Sequence, residues 1–185
     1  MISNRRIYIR RLEPEDAGAL LDLRKRNRSF LQPFEPVRPD SHYTLEAQLE
    51  AIRQGIGQWE QGTGYGFGIF LSTSHQLIGR VNLSNVVRGA WQNCTIGYFL
   101  DREHNGRGYM TEAVQSALRF AFGEAGLHRV EAGVMPRNIS SIRVLEKNGF
   151  RYIGYSRYHL QINGGWEDHK IYAITMEDFK PDADV

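Results

Sequence analysis

Apolar residues recur along this chain at two spacings, every second position and every third or fourth. The switches between the two mark its elements. Ile7 and Ile9 alternate with polar residues and predict a first strand over Arg6 to Leu12. A helix follows over Glu13 to Arg26, with Pro14 near its first turn and Leu20 and Leu21 turned inward. Leu45, Leu49, Ile52, Ile56 and Trp59 form the buried stripe of a second helix, Thr44 to about Trp59. Between these helices "NRSFLQPFEPVRPD" carries three prolines and predicts a loop. Its Phe30, Leu31 and Phe34 are too apolar for a free linker: either they pack on the core, or they line a site.

"GYGFGIFL" and "QLIGRVNLSNV" predict two strands joined by the turn Ser72 to His75, and "NCTIGYFL" predicts the next. The pattern then breaks at "DREHNGRG" and turns helical. Met110, Ala113, Val114, Ala117, Leu118 and Ala121 form one face, with Glu112, Gln115, Ser116 and Arg119 on the other side. "HRVEAGVM" predicts a strand over His128 to Met135. "NISSIRVLEKNGF" predicts a short helix, with Asn138 as N-cap candidate and Gly149 as its stop. "RYIGYSRYHLQI" and "WEDHKIYAITM" predict two last strands around Asn163-Gly164-Gly165. The order β-α-α-β-β-β-α-β-α-β-β implies a mixed α/β sheet of seven strands with about four helices.

A strand, a glycine loop and a helix in succession form a possible anion site. Loop N–H groups can converge, and the first helical turn adds unpaired N–H groups with a partial positive charge. The plainer alternative is that Gly106 and Gly108 only shape a turn. The loop is neither a Walker loop, since no Gly-Lys-Ser/Thr follows, nor a dinucleotide fingerprint, since the third glycine is missing.

Composition narrows the class. The chain has 185 residues, 41% hydrophobic, enough for one domain over 1–185 with its core at about 6–176. A net charge of +2 does not predict DNA binding. Arginines cluster at "NRRIYIRR" and "RKRNR", either as a solvated strand edge and basic helix end or as a docking surface for an acidic or RNA-containing partner. The single Cys94 excludes an intrachain disulfide and fits a reducing cytoplasm. No signal core or membrane-length apolar run appears, so a cytoplasmic protein without membrane association is expected. The six histidines have no metal-ligand spacing, so no metal is expected.

The element order, with a glycine-rich loop before the third long helix, resembles the GNAT superfamily of N-acetyltransferases. The family's pyrophosphate motif, Gln/Arg-x-x-Gly-x-Gly/Ala, aligns with Asn105-Gly106-Arg107-Gly108-Tyr109-Met110. Asn105 and Met110 depart from the pattern, and Gly108 keeps it. "VMPRNISSIRVLEKNGF" resembles the family's Asn-x-x-Ser…Leu-x-x-x-Gly-Phe segment. Three further stretches resemble the Rim-type subgroup, which acetylates N-terminal amines of ribosomal proteins, alanine N-termini among them. They are "RRLEPEDAGALLDLRKRNRSFLQPFEP", "GYMTEAVQSALRFAF" and "LQINGGWEDHKIYAIT", and the likeness spans about Arg6 to Thr175.

The resemblance implies a single-domain GNAT-like fold with a mostly antiparallel sheet, acetyl-CoA as co-substrate, and a protein N-terminus as acceptor. It implies that Asn105 and the backbone from Gly106 through Arg107, Gly108 and Tyr109 to Met110 and Thr111 hold the pyrophosphate, with charge from Arg107 and Arg143. Phe99 and Leu100 would bind pantetheine through their backbone, and Asn138 and its helix would flank it. Ser141 is the expected partner of the leaving thiolate, as in the Rim subgroup, because the region where the superfamily places a tyrosine reads "VLEKNGF". The alternative for Ser141 is a helix-capping serine.

The general base is open among Glu35, Asp168 and His169. An α-amine near pKa 8 is already about a tenth neutral at pH 7, so a weak base or water suffices. Phe30, Leu31, Phe34, Glu35 and Trp166 are the expected acceptor cleft. Two rival readings are an acetyltransferase for a small amine (an antibiotic, a polyamine or an amino acid) and a non-catalytic ribosome-associated module. The chain is expected to be a monomer or homodimer.

Overall fold

Alternating β-branched and aromatic residues and three amphipathic stripes set the elements in a computed structural model that describes residues 2–3 and 6–180. In chain order they are β1 (Ile2–Ser3), β2 (Ile7–Arg11), α1 (Ala17–Arg26), α2 (Arg28–Leu31), α3 (Leu45–Glu60), β3 (Tyr65–Leu71), β4 (Leu77–Val87), β5 (Asn93–Leu100), α4 (Tyr109–Phe122), β6 (Arg129–Val134), α5 (Ile139–Lys147), β7 (Arg151–Ile162) and β8 (Gly165–Thr175). The sheet order is β1-β2-β3-β4-β5-β6-β8-β7. Every pair is antiparallel except β5 with β6.

The seven expected strands are all present in one mixed, mostly antiparallel sheet. The additions are small. β1 extends the edge by two residues, opposite Ile9 and Tyr8, and is too short to have a periodicity. α2 is one helical turn within the stretch expected as a loop, and the prolines at 33, 36 and 39 keep it short. A 3-10 turn over Pro14–Asp16 takes up the start of the first expected helix.

Helices cover both faces of the sheet. α4 and α5 pack on one, over Ile7, Ile69, Ile78, Leu83, Val130 and Ile174. α1 and α3 pack on the other, over Tyr8, Phe70, Leu77 and Phe99. Thr44 caps α3, its Oγ1 accepting from Ala47 N at 3.2 Å. Asn163 and Gly164, at φ +48° and +86°, close the β7–β8 hairpin, the conformation a two-residue hairpin turn requires. Gly165 already lies in β8.

Candidate active site

The site begins where two parallel strands part. β5 and β6 pair only at Asn93 with Arg129, Cys94 with Val130 and Thr95 with Glu131. Beyond that point β5 stays with β4 as far as Leu100, and β6 stays with β8 as far as Val134. A cavity of about 480 Å³ occupies the wedge. Phe99's carbonyl oxygen faces β4, since a Cβ on Gly79 would lie 2.6 Å from it. Peptide groups alternate in direction along a strand, so the backbone of Tyr98 and Leu100 turns into the wedge. Leu100 thus turns its backbone into the cavity, whereas the Phe99 carbonyl faces β4, and both residues line the cavity.

At one end lies the glycine loop. Gly106 and Gly108 have φ of +77° and +82°, a region that side-chain-bearing residues rarely adopt. Gly108 is the N-cap of α4, and the first intrahelical bond runs from Glu112 N to Gly108 O at 3.1 Å. The N–H groups of Tyr109, Met110 and Thr111 therefore have no acceptor within the helix. Asn105 and Met110 line the cavity, whereas Gly106, Arg107, Gly108 and Tyr109 between them do not. Asn105 Nδ2 also donates to Asp101 O at 3.1 Å. Arg107 and Arg143 are exposed. Glu112, assigned by its period to the polar side of α4, is buried, and Arg6 Nε donates to its carboxylate at 2.6 Å. The polar side of α4 faces protein rather than water.

α5 supplies the next group. Asn138 Oδ1 accepts from Ser141 N at 3.2 Å and from the Ser140 hydroxyl at 3.0 Å. Asn138 is therefore the cap, and the Ser141 hydroxyl is not used for capping. It lies 2.9 Å from the Tyr98 hydroxyl on the cavity wall. Sequence reasoning did not single out Tyr98. It reads as one more aromatic in a strand, and its partner lies 43 residues away. Asn148 Nδ2 donates to Thr111 O at 3.3 Å and so ties the end of α5 to the first turn of α4.

The opposite wall comes from the proline-rich stretch. Phe30, Leu31, Phe34 and Glu35 all line the cavity, and Leu31 is also buried in the core beneath α1. Both options for these residues hold at once. Arg24 Nη1 donates to both oxygens of Glu35, at 2.7 and 3.0 Å, and its guanidinium lies 3.9 Å over the Phe99 ring. Asn163 N donates to Glu35 O at 2.9 Å and Gln32 Nε2 to Asn163 Oδ1 at 3.3 Å, clasping this segment to the β7–β8 hairpin. Trp166 stands outside the cavity, 62% exposed. Leu160, Gln161 and Ile162 on the neighbouring strand line it instead. A β-hairpin's two faces are not distinguishable by composition when both carry aromatics.

The base candidates separate. Asp168 does not line the cavity. Its carboxylate accepts from Tyr158 N and the Tyr155 hydroxyl, both at 2.8 Å, and staples a bulge in β7 where Tyr158 has φ +48°. Glu35 and His169 do line it. His169 Nδ1 lies 3.0 Å from Glu167 O, and a carbonyl only accepts, so Nδ1 carries the hydrogen and Nε2 is left as the acceptor. Burial holds the His169 imidazole below its ordinary pKa, and the adjacent His159, 5.3 Å between ring centres, acts in the same direction.

Burial also lowers the pKa of His42, helped by Arg24 and Arg38. Below about pH 6.5 the unfolded chain protonates these histidines while the folded chain resists. Stability is then whole above that pH and lost as pH falls toward the folded pKa values. The melting temperature is expected to drop between about pH 7.5 and 5.5, and less steeply in His169→Gln. Scanning calorimetry across that range checks it, and an equal slope in the variant would remove His169 from the account.

The arginine clusters have internal partners. Arg24 pairs with Glu35, Arg26 with Asp101, Arg28 with Asp40, Arg10 with Asp16 and Arg11 with Glu13. Arg5 lies outside the described residues. Asp101 is buried and also accepts from Asn27 Nδ2 at 3.0 Å, while Asn27 Oδ1 accepts from Arg102 N at 2.9 Å. This network rivets the end of α1 to the start of the glycine loop. Sequence reasoning missed it because the partners lie 74 or more residues apart. Among the described residues no acidic, histidine and cysteine cluster could hold a metal ion, and no helix is long and apolar enough to cross a membrane.

Known proteins resemble the chain in sequence and in fold. The chain is similar to the Bacillus subtilis protein named probable N-acetyltransferase YjcK, at 48% identity over 96% of this chain and 98% of that protein. It is 37% identical to the Escherichia coli [ribosomal protein uS5]-alanine N-acetyltransferase, over 95% of this chain and 91% of that one. The solved structure of Mycobacterium smegmatis RimJ in complex with a CoA disulfide superposes with a TM-score of 0.88 at 29% identity, covering 92% of this chain and 82% of that one. Residues 6–151 match the model of the acetyltransferase (GNAT) domain, and the chain therefore belongs to the GNAT acetyltransferase family.

Proposed function

We infer that the chain transfers acetyl from acetyl-CoA to the N-terminal α-amine of a protein, of the ribosomal-protein alanine type. The observation that supports this reading is one cavity that gathers Asn138 and Ser141 with Phe34, Glu35 and His169. A thioester reaching in along β5 and an amine entering beneath the clasped loop would meet between them. The names of the Escherichia coli and Mycobacterium smegmatis relatives support the acceptor class and the use of coenzyme A. The fully buried free Cys94 is compatible with a cytoplasmic setting.

The chain's own groups fit coenzyme A. Three N–H groups without helical acceptors, at Tyr109, Met110 and Thr111, follow two glycines in the left-handed region, and this suits a pyrophosphate. Arg107 and Arg143 are exposed and free to add charge. The backbone of Tyr98 and Leu100 suits the amides of pantetheine. Gly108→Val is expected to abolish the thermal shift given by acetyl-CoA, which amounts to about 2.7 kcal/mol at a hundred times Kd. The left-handed φ of Gly108 adds a cost of about 1–2 kcal/mol to the variant's own stability. Calorimetric titration separates the two effects, and normal binding by Gly108→Val would refute the pyrophosphate assignment.

The test of the whole reading is turnover with acetyl-CoA and a panel of acceptors. Peptides starting with alanine or serine are expected to react, and mass spectrometry to place acetyl on the α-amine. Turnover confined to small amines would move the substrate class and keep the chemistry. No turnover with any amine would favour the non-catalytic module.

A further inference from the structure

Tyr98 does work that the thiolate role of Ser141 alone leaves unexplained. Its phenol reaches from β5 across the cavity wall to the first turn of α5. The hydroxyl lies 2.9 Å from Ser141 Oγ and donates to Ser141 O at 3.2 Å. A phenol has one hydrogen. While that hydrogen is on the Ser141 carbonyl, the close Oγ contact is made by the Ser141 hydroxyl donating to Tyr98. Ser141's hydrogen is then turned away from the space where a leaving sulfur would stand.

We propose that Tyr98 is a positioning residue for acetyl transfer, which switches its hydrogen from the Ser141 carbonyl to Ser141 Oγ as charge develops on sulfur and so turns the Ser141 hydroxyl onto the thiolate. Two hydrogens rotate and no covalent bond changes, so the step needs no further reactant. Donation into Oγ polarises the outgoing Ser141 O–H, and hydrogen bonds in such a chain strengthen one another. Burial keeps the phenol protonated, so Tyr98 retains the one hydrogen that it switches between its two acceptors. The geometry also accounts for the cap being Asn138. With Asn138 Oδ1 serving Ser141 N and Ser140, the Ser141 hydroxyl is left with Tyr98.

The proposal rests on the thiolate role of Ser141, and a double-mutant cycle keeps the two distinguishable. Tyr98→Phe retains the ring and removes only the hydroxyl. It is expected to lower kcat by about 3- to 10-fold, the worth of one hydrogen bond, with the acetyl-CoA KM unchanged. In a Ser141→Ala background the same change is expected to cost less than about 2-fold. Ultraviolet titration of the bound coenzyme A thiol provides a readout that a packing role would not move. Its pKa is expected to rise by about half a unit to one unit in Tyr98→Phe, one unit matching a tenfold effect.

An equal loss from Tyr98→Phe in both backgrounds would overturn the proposal, as would a raised KM with kcat intact. A slow Ser141→Ala beside a Tyr98→Phe of normal kcat would also overturn it while sparing Ser141. A Ser141→Ala with normal kcat would remove the thiolate role of Ser141 and the proposal together.

Discussion

An alanine-started peptide is expected to be acetylated at its α-amine at least about 100-fold faster, in kcat/KM, than the same peptide with a blocked N-terminus and one internal lysine. The reason lies in the amine. Only a neutral amine attacks a thioester, and a lysine near 10.4 lies ~2.5 units above an α-amine, about 3.4 kcal/mol harder to deprotonate. Once free, a lysine is the stronger nucleophile, which pulls the ratio below the ~300-fold of the pKa gap. The site does little to close that gap. Glu35 is already engaged by Arg24, and His169 is a buried imidazole kept below its ordinary pKa. Both suit an amine that is partly neutral at the outset. Raising the pH from about 7.5 to 9 should shrink the ratio by roughly tenfold, because the α-amine saturates while lysine continues to gain. Acetyl found on lysine at comparable rates would overturn the N-terminal assignment and leave acetyl transfer intact.

Ser141→Ala is expected to lower kcat by about 10- to 1000-fold, the range for one lost transition-state donor or acid, with acetyl-CoA affinity little changed. The contact strengthens only as charge develops on sulfur, so its loss falls on the transition state. Position supports this split. Ser141 sits in the first turn of α5, where the helix dipole also favours negative charge, and its hydroxyl is not used for capping. The remaining activity measures what the dipole and the other N–H groups of that turn supply. Steady-state kinetics at saturating peptide, with acetyl-CoA binding measured by calorimetry, check the prediction. A large loss of affinity with kcat unchanged would make Ser141 a binding residue.

Much of this protein is legible in its sequence, because much of it is local. Period two and period three-to-four place the seven strands and the long helices to within a few residues, since each depends on which side of a short segment is apolar. The left-handed glycines at 106 and 108, the Asn138 cap and the Asn163-Gly164 turn are also local, each needing a residue type that its own backbone demands. What the sequence could not decide was who meets whom. The parting of β5 from β6 leaves no mark in either strand, because hydrogen bonds lost between strands are not encoded in side-chain period. Glu112 has the spacing of a solvated residue and is buried because Arg6 arrives from 106 positions away. Asp168 and Trp166 sit on the same strand as His169, yet of the three only His169 lines the cavity: successive side chains point to opposite faces, and which face meets the wedge is set by the assembled sheet. Tyr98 and Ser141 become partners because α5 folds back across β5. Period and motif identify the parts that local backbone geometry requires; the pairings that make them a site depend on contacts between distant segments, and these exist only once the sheet has formed.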